Sequence, residues 1–266
     1  MNPRLLRPLA TFDPDAAAYL RAVEAADGQA LETPVKRAVD DFFRGTKADG
    51  TFSALKAACL LCGARTLTGA LVPLAGDAPT NVADGFVSGD YTRGGATPGL
   101  KGDGTSYLDS NYAFPAGLQD DMHISGYVLE QPVALSGFFS ASYVSPGSFL
   151  NITLNSYATE AVAVLARPPF SGVASITVAD ANGFIGASRS DASTVDIRAD
   201  STQEADASSS SGVTALNQYI FARNSAGTAN NFFTARVAFY SLGEATDLAL
   251  LDARVTALVT AIGAAV

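Results

Sequence analysis

The chain predicts a mainly β fold: an antiparallel jelly-roll sandwich over residues 76–245, preceded by a three-helix segment over 1–75 and followed by a helix over 246–266. Three observations carry this expectation. Beyond Gly76, short segments of alternating polarity are separated by Gly, Ser, Asn, Asp and Pro. Before it, and again at the C-terminus, apolar residues recur at three- and four-residue steps. The charge divides at the same place: residues 1–75 carry nine Lys/Arg against eight Asp/Glu, while 76–266 carry eight against eighteen.

In chain order, Asp13-Pro14 offers a side-chain acceptor at an N-cap and a proline at the first helical position, where its missing N–H costs nothing. A helix is expected from there to the Asp27-Gly28 stop. Thr33-Pro34 repeats the start signal, and Val35, Ala38, Val39, Phe42 and Phe43 form one apolar face. Val35, Val39, Phe42 and Phe43 are the expected docking face toward a partner. Phe52, Leu55, Ala58, Cys59 and Cys62 continue the helical period into an expected third helix ending at Gly63.

The sandwich strands follow from period-two alternation. In Phe233–Ser241, the residues Phe233, Ala235, Val237 and Phe239 share one face, and Thr234, Arg236 and Tyr240 the other. Similar alternation marks 122–129, 174–180, 194–199 and 218–223, with less regular apolar runs at 133–144 and 161–166. At least seven strands need closure or face-to-face packing to manage their edges, and a jelly roll provides it. In the last segment Leu248, Leu251, Val255, Leu258 and Ile262 form a seam of less than three heptads. It reads either as a helix capping its own domain or as a self-association handle, and a homo-oligomer is expected from the second.

Composition narrows the function. Net charge is −9, which opposes a nucleic-acid groove, since phosphate binding needs clustered Lys and Arg. With 48% hydrophobic residues the chain is expected to fold, and no run approaches about 18 consecutive apolar residues, so no membrane span is expected. The opening MNPRLLRPLATFDPD does not read as a secretory signal, which points to cytosolic synthesis. One histidine, two cysteines and no tryptophan leave few parts for a metal site or a nucleophile–base pair.

Each chemical motif has a simpler structural reading. Cys59-Leu-Leu-Cys62 has CxxC spacing, but zinc would need two further ligands, and core packing explains small buried thiols. His123 follows Asp120-Asp121 with no nucleophile beside it; a hydrogen-bonded strand histidine is expected. His123 and Tyr127 share a strand face but lie about 13 Å apart along it, which disfavours a lyase pair. The glycines around Gly94-Gly95 and 99–104 lack a strand–loop–helix context and read as turns. Asp103-Gly104, Asp180–Gly183 and Asn224–Gly227 carry oxygens of the kind calcium takes, without a legible ligand array, so no cofactor is assigned.

Three stretches, Gly99-Leu-Lys-Gly-Asp-Gly-Thr-Ser-Tyr-Leu-Asp109, Ile185-Gly-Ala-Ser-Arg-Ser190 and Arg236-Val-Ala-Phe-Tyr-Ser-Leu-Gly-Glu244, resemble the laminin-G/concanavalin A-like jelly-roll modules of tailed-bacteriophage virion proteins. The segment AAAYLRAVEAADGQALETPVKRAVDDFF is similar to the helical leader of those modules. The resemblance implies a non-enzymatic structural protein on the virion, tail-associated or fibre-like, with other virion proteins as partners and host-surface glycans as ligand. A capsid decoration protein or a carbohydrate-active enzyme on the same jelly roll are the alternatives. No metal ligand of the family matches residue by residue. For stacking against sugar rings, Tyr91, Tyr107, Tyr112, Tyr143 and Tyr157 stand in for the absent tryptophan.

Overall fold

The cap of the first helix forms at Asp13 as its residues dictate, while the second helix starts one residue before the expected Thr33 cap, without a side-chain cap bond. The computed structural model describes residues 11–82, 85–131, 139–143, 151–157, 160–167, 173–213 and 215–266, with the side chains of 143, 151–157 and 163–167 outside that description. Helix α1 (Pro14–Asp27) starts at Asp13, whose carboxylate accepts from the amides of Asp15 and Ala16, and stops at Gly28 in the left-handed conformation (φ 66°). Helix α2 (Thr33–Ala48) begins at Glu32, whose side chain makes no cap bond; it pairs instead with Arg65 and Arg93. A short helix α3 (Leu67–Ala70) and the C-terminal α4 (Leu248–Ala265) complete the helical set.

The third helix of the sequence reading is a correction. Phe52–Ala54 is one 3₁₀ turn, and Leu55–Leu60 is strand β1. It pairs with the C-terminal strand β18 (Arg236–Gly243) and with β2 (Pro73–Ala75). Every residue of β1 except Lys56 is buried. A strand covered on both faces is apolar at nearly every position, and such a run cannot be told from a buried helix by periodicity. The shift in charge near residue 75 therefore falls inside a sheet. Close approach fixes the register: a Cβ on Gly243 would lie 1.9 Å from the Ala54 carbonyl oxygen.

Two sheets form the sandwich. In the covered sheet the order is β14 (Thr202–Ala207), β13 (Thr194–Ala199), β12 (Gly183–Arg189), β7 (Met122–Glu130), β18, β1, β2, with β5 (Gly99–Lys101) and β4 (Tyr91–Thr92) joined to β18. In the open sheet it is β11 (Ala174–Thr177), β10 (Glu160–Arg167), β9 (Asn151–Tyr157), β8 (Ser140–Tyr143), β15 (Tyr219–Ile220), β6 (Leu108–Asp109), β3 (Thr80–Asn81), with β16 (Arg223–Ser225) and β17 (Thr228–Asn230) beside β8. All described pairs are antiparallel except β8 with β16. The expected run at 133–144 is described only as β8; residues 132–138 and 144 lie outside the described residues.

One core fills the space between the sheets, with Ile124, Val128, Ile185, Ile197, Val237 and Leu242 from the covered sheet facing Leu108, Ile176 and Ile220 from the open one. A second core lies between the covered sheet and the helices. Strand β18 serves both through a bulge: Val237 opposes Val128, and Phe239 opposes the adjacent Tyr127. The extra residue, Ala238, breaks the alternation expected for this strand. Val237 and Tyr240 consequently face the sandwich, and Ala238 and Phe239 face the helices.

Both apolar stripes assigned to partners are covered by the chain itself. Val35, Val39, Phe42 and Phe43 are no more than 2% exposed, and Phe42 meets Phe239 edge-on at 6.1 Å. Leu248, Leu251, Val255, Leu258 and Ile262 are equally buried in the helix-side core. Ion pairs from α4 to β13 (Arg198–Asp252, 2.8 Å) and to the end of α2 (Arg254–Asp49, 2.6 Å) hold the helix in place. Its 18 residues have a mean hydropathy of 1.6, long and apolar enough by length and composition to cross a membrane. The sequence reading counted unbroken apolar runs, and Asp252 and Arg254 interrupt this one; a helix buried in a protein core meets the same length and hydropathy criterion. At the other margin of the covered sheet, β14 exposes Thr202, Gln203 and Glu204 and pairs, among the described residues, with β13 alone.

Leu251→Ala removes a wholly buried side chain. We expect a loss of about 2–5 kcal/mol in denaturant unfolding, without a change of mass in light scattering, because the seam is filled from within.

Candidate functional site

The single histidine is the first group to place. His123 sits on β7, fully buried, on the helix-facing side of the covered sheet. Its Nδ1 lies 2.5 Å from the Glu244 carbonyl oxygen, an atom that only accepts, so Nδ1 carries the proton. Nε2 is then an acceptor for the Ser241 hydroxyl at 2.9 Å, and Ser241 Oγ in turn accepts from Ser125 at 2.7 Å. Burial holds the imidazole down to about 4. Both ring nitrogens are engaged, and no substrate reaches them. Asp121 is turned to the surface and accepts from the Ala245 amide at 2.7 Å, while Tyr127 is hydrogen-bonded to Thr256 of α4. The grouping is a strand-to-strand tie and contains no acid–base dyad.

The thiols are equally inert. Cys59 and Cys62 are free and buried, one in each core. Burial pushes both well above the ordinary thiol range. The three loops with calcium-like oxygens are closed on themselves. Asp103 accepts from the amides of Thr105 and Ser106 and from both hydroxyls. Asp180 accepts from the Asn182 amide and Asn224 from the Gly227 amide. Among the described residues, no group of three His, Cys, Asp or Glu side chains is placed to hold a metal ion.

The arrangement best suited to a ligand lies on the outward face of the open sheet. Leu108 and Ile220 belong to the sandwich core; strand alternation therefore turns Asp109 and Tyr219 to the other side. The pairing aligns Thr80, Asp109, Tyr219 and Ala141 as opposed residues across β3, β6, β15 and β8, and Arg223 of β16, itself opposed to Asn230 of β17, also pairs with Ala141. Tyr107, partly buried against the sandwich core, meets Tyr219: its ring centre is 4.6 Å from that of Tyr219 with the planes 34° apart, and the Phe232 ring centre is 6.2 Å from it. Burial, then the neighbouring Tyr107 and Asp109, push the Tyr219 hydroxyl up to about 12, so it stays a neutral donor.

Around these rings the polar groups are fixed. Asn111, at φ 56°, gives its amide N–H to Asp109 and its side-chain NH₂ to the Ala78 carbonyl and the Thr80 hydroxyl. Arg223 Nε donates to Asn230 Oδ1 at 2.8 Å. Tyr219 itself is buried and Ala141 fully so, whereas the rings of Tyr107 and Phe232 are partly exposed; those two rings, flanked by a carboxylate, a guanidinium and an amide, can cover the C–H face of a sugar ring while the polar groups meet its hydroxyls at the rim.

Of the five tyrosines singled out in the sequence, Tyr107 alone is placed here. Tyr91 is on the opposite side of the molecule, donating to the Ala64 carbonyl at 2.8 Å. Tyr112 stacks edge-on against Phe114, its hydroxyl buried without a partner among the described residues. The side chains of Tyr143 and Tyr157 lie outside the described residues. Sequence reasoning missed Tyr219, Phe232, Arg223 and Asn230. Alternation across Tyr219-Ile220 was visible, but which of the two faces points outward depends on the partner strands.

No family model matches the chain, and no curated protein matches it. Similar solved structures include the NanB sialidase from Streptococcus pneumoniae (11% identity over 48% of this chain and 23% of that one, TM-score 0.40). They also include the Ruminococcus gnavus IT-sialidase CBM40 (12%, 52% and 83%, TM-score 0.37) and mouse laminin α1 chain domains LG4-5 (13%, 57% and 44%, TM-score 0.38). The chain spans less than a quarter of the NanB sialidase, and no residue role passes from these proteins to this one.

The histidine generates a pH prediction. The unfolded ring takes a proton near 6.5, whereas the folded one resists until about 4, so its contribution is complete above pH 6.5 and falls as the pH drops toward 4. The loss amounts to about 3 kcal/mol across that window. Urea unfolding from pH 7.5 to 4 should show a steeper decline in the native chain than in His123→Asn.

Proposed function

We propose that this chain is a non-enzymatic attachment protein, carried on the outside of a tailed-phage virion as a tail-associated or fibre-like component, and that it binds host-surface glycans on its open sheet. The stacked Tyr107–Tyr219 pair, with Asp109 opposite Tyr219 and Arg223 on the nearby β16, is the observation that carries the glycan part. The virion part rests on the resemblance of the three stretches at 99–109, 185–190 and 236–244. A non-catalytic role is supported by His123, whose ring nitrogens are engaged within the core. Other virion proteins, and further copies of the chain, then meet surfaces other than the two covered helix stripes.

The isolated chain should bind saturably to members of a panel of neutral and carboxylated oligosaccharides, leaving their chain length unchanged in product analysis. Tyr107→Ala and Tyr219→Ala should each weaken binding about tenfold, equivalent to about 1.4 kcal/mol. Shortened products would return the carbohydrate-active enzyme. Antibody labelling of intact virions under the electron microscope should mark the tail; label on heads would make the chain a decoration protein, and no label would remove the virion assignment.

A further inference from the structure

Helix α4 is apolar on its outward side as well as its inward one. Its mean hydropathy is 1.6, yet only 39% of its residues are buried. Leu250, Ala253, Ala257, Thr260, Ala261 and Ala264 are exposed, and at about 100° per residue all six fall within about 60° of Ala257. None of them is charged. Leu250, 40% exposed, is the one bulky side chain of this face. A helix that is apolar all round is ordinarily covered all round.

We propose that this face docks a second copy of the chain, α4 against α4, antiparallel about a two-fold axis at Ala257. The order of residues along the helix is self-complementary under that symmetry. Leu250 meets Ala264 of the second copy, and Ala253 meets Ala261, so the bulky side chain is set against a methyl group at both ends of the contact. Residues this small let the two helix axes approach to about 8 Å.

The flanking charges fit the same axis. Helix α2 lies antiparallel beside α4: a Cβ on Gly45 would strike the Arg254 side chain, while Ala38 and Phe42 share a groove of about 190 Å³ with Leu258 and Ala261. Asp41, exposed on the wall of that groove, and Arg44, exposed one turn further along α2, therefore stand on either side of the level of Ala257. The two-fold axis keeps α2 beside α2 and reverses its direction, which brings Asp41 of each copy against Arg44 of the other. Arg44 is oriented for this by Asp40 at 2.7 Å. A lipid surface fits the face less well, because it offers no aromatic side chain and the neighbouring Arg254 is tied to Asp49. The contact gives the further copies of the chain named under the proposed function their surface, on the far side of the sandwich from Tyr107 and Tyr219, and it holds independently of glycan binding.

Light scattering of the full chain at about 100 µM should give twice the mass of one chain. Ala257→Arg sets like charges together on the axis at an exposed position, and should weaken association by at least about tenfold with an unchanged circular dichroism spectrum. Asp41→Arg should weaken it too, and adding Arg44→Asp to that variant should restore it, since the exchanged charges meet again across the axis. Ala257→Cys should link to its own copy under oxidised glutathione, a readout that the buried Cys59 and Cys62 do not disturb. A native chain that is monomeric at this concentration, whether or not it sediments with phosphatidylcholine vesicles, would overturn the proposal, and so would a dimer that neither Ala257→Arg nor Asp41→Arg weakens. The Ala257→Arg chain should keep the glycan affinity of the native one; a native dimer that binds no glycan would count against the proposed function alone.

Discussion

The structure depends on one constraint: the centre of the covered sheet has no face in water. Its central pair, β7 and β18, is buried beneath helices on one side and beneath the open sheet on the other. Every polar side chain on those strands must therefore find its partner inside. His123, Ser125 and Ser241 do so by hydrogen-bonding in sequence across the two strands and onto the backbone that leads into α4. The same double burial draws β1 into the sheet. Among the described residues the helices pack on the covered sheet, so the aromatic cluster of the open sheet lies away from them.

Much of this architecture was legible in the residues, and the errors share one origin. The caps at Asp13 and Gly28, the strand at 194–199 and the C-terminal helix follow from local rules that hold without knowledge of neighbours. Leu55–Leu60 and the far half of β18 do not. In the first, burial on both sides erases the two-residue period; in the second, a single extra residue at Ala238 reverses which side chains face the helices. Periodicity reports one-sided burial, so it weakens where the fold is three layers thick.

The site was less legible than the fold. Tyr107 could be named as an aromatic platform, but its companions are brought beside it from residues 219, 223, 230 and 232 by pairing of non-neighbouring strands. The apolar stripes on α2 and α4 carried the opposite lesson. Their spacing was read correctly, and their partner turned out to be the chain's own sheet and each other. An amphipathic stripe announces that something covers it without saying what.

The outer margin of β14, which pairs with β13 alone among the described residues, has a consequence for encounters between copies. An edge strand invites the strand of a neighbouring molecule to zip onto it, and the exposed carboxylate of Glu204 works against that, because a second copy brings the same charge to the seam.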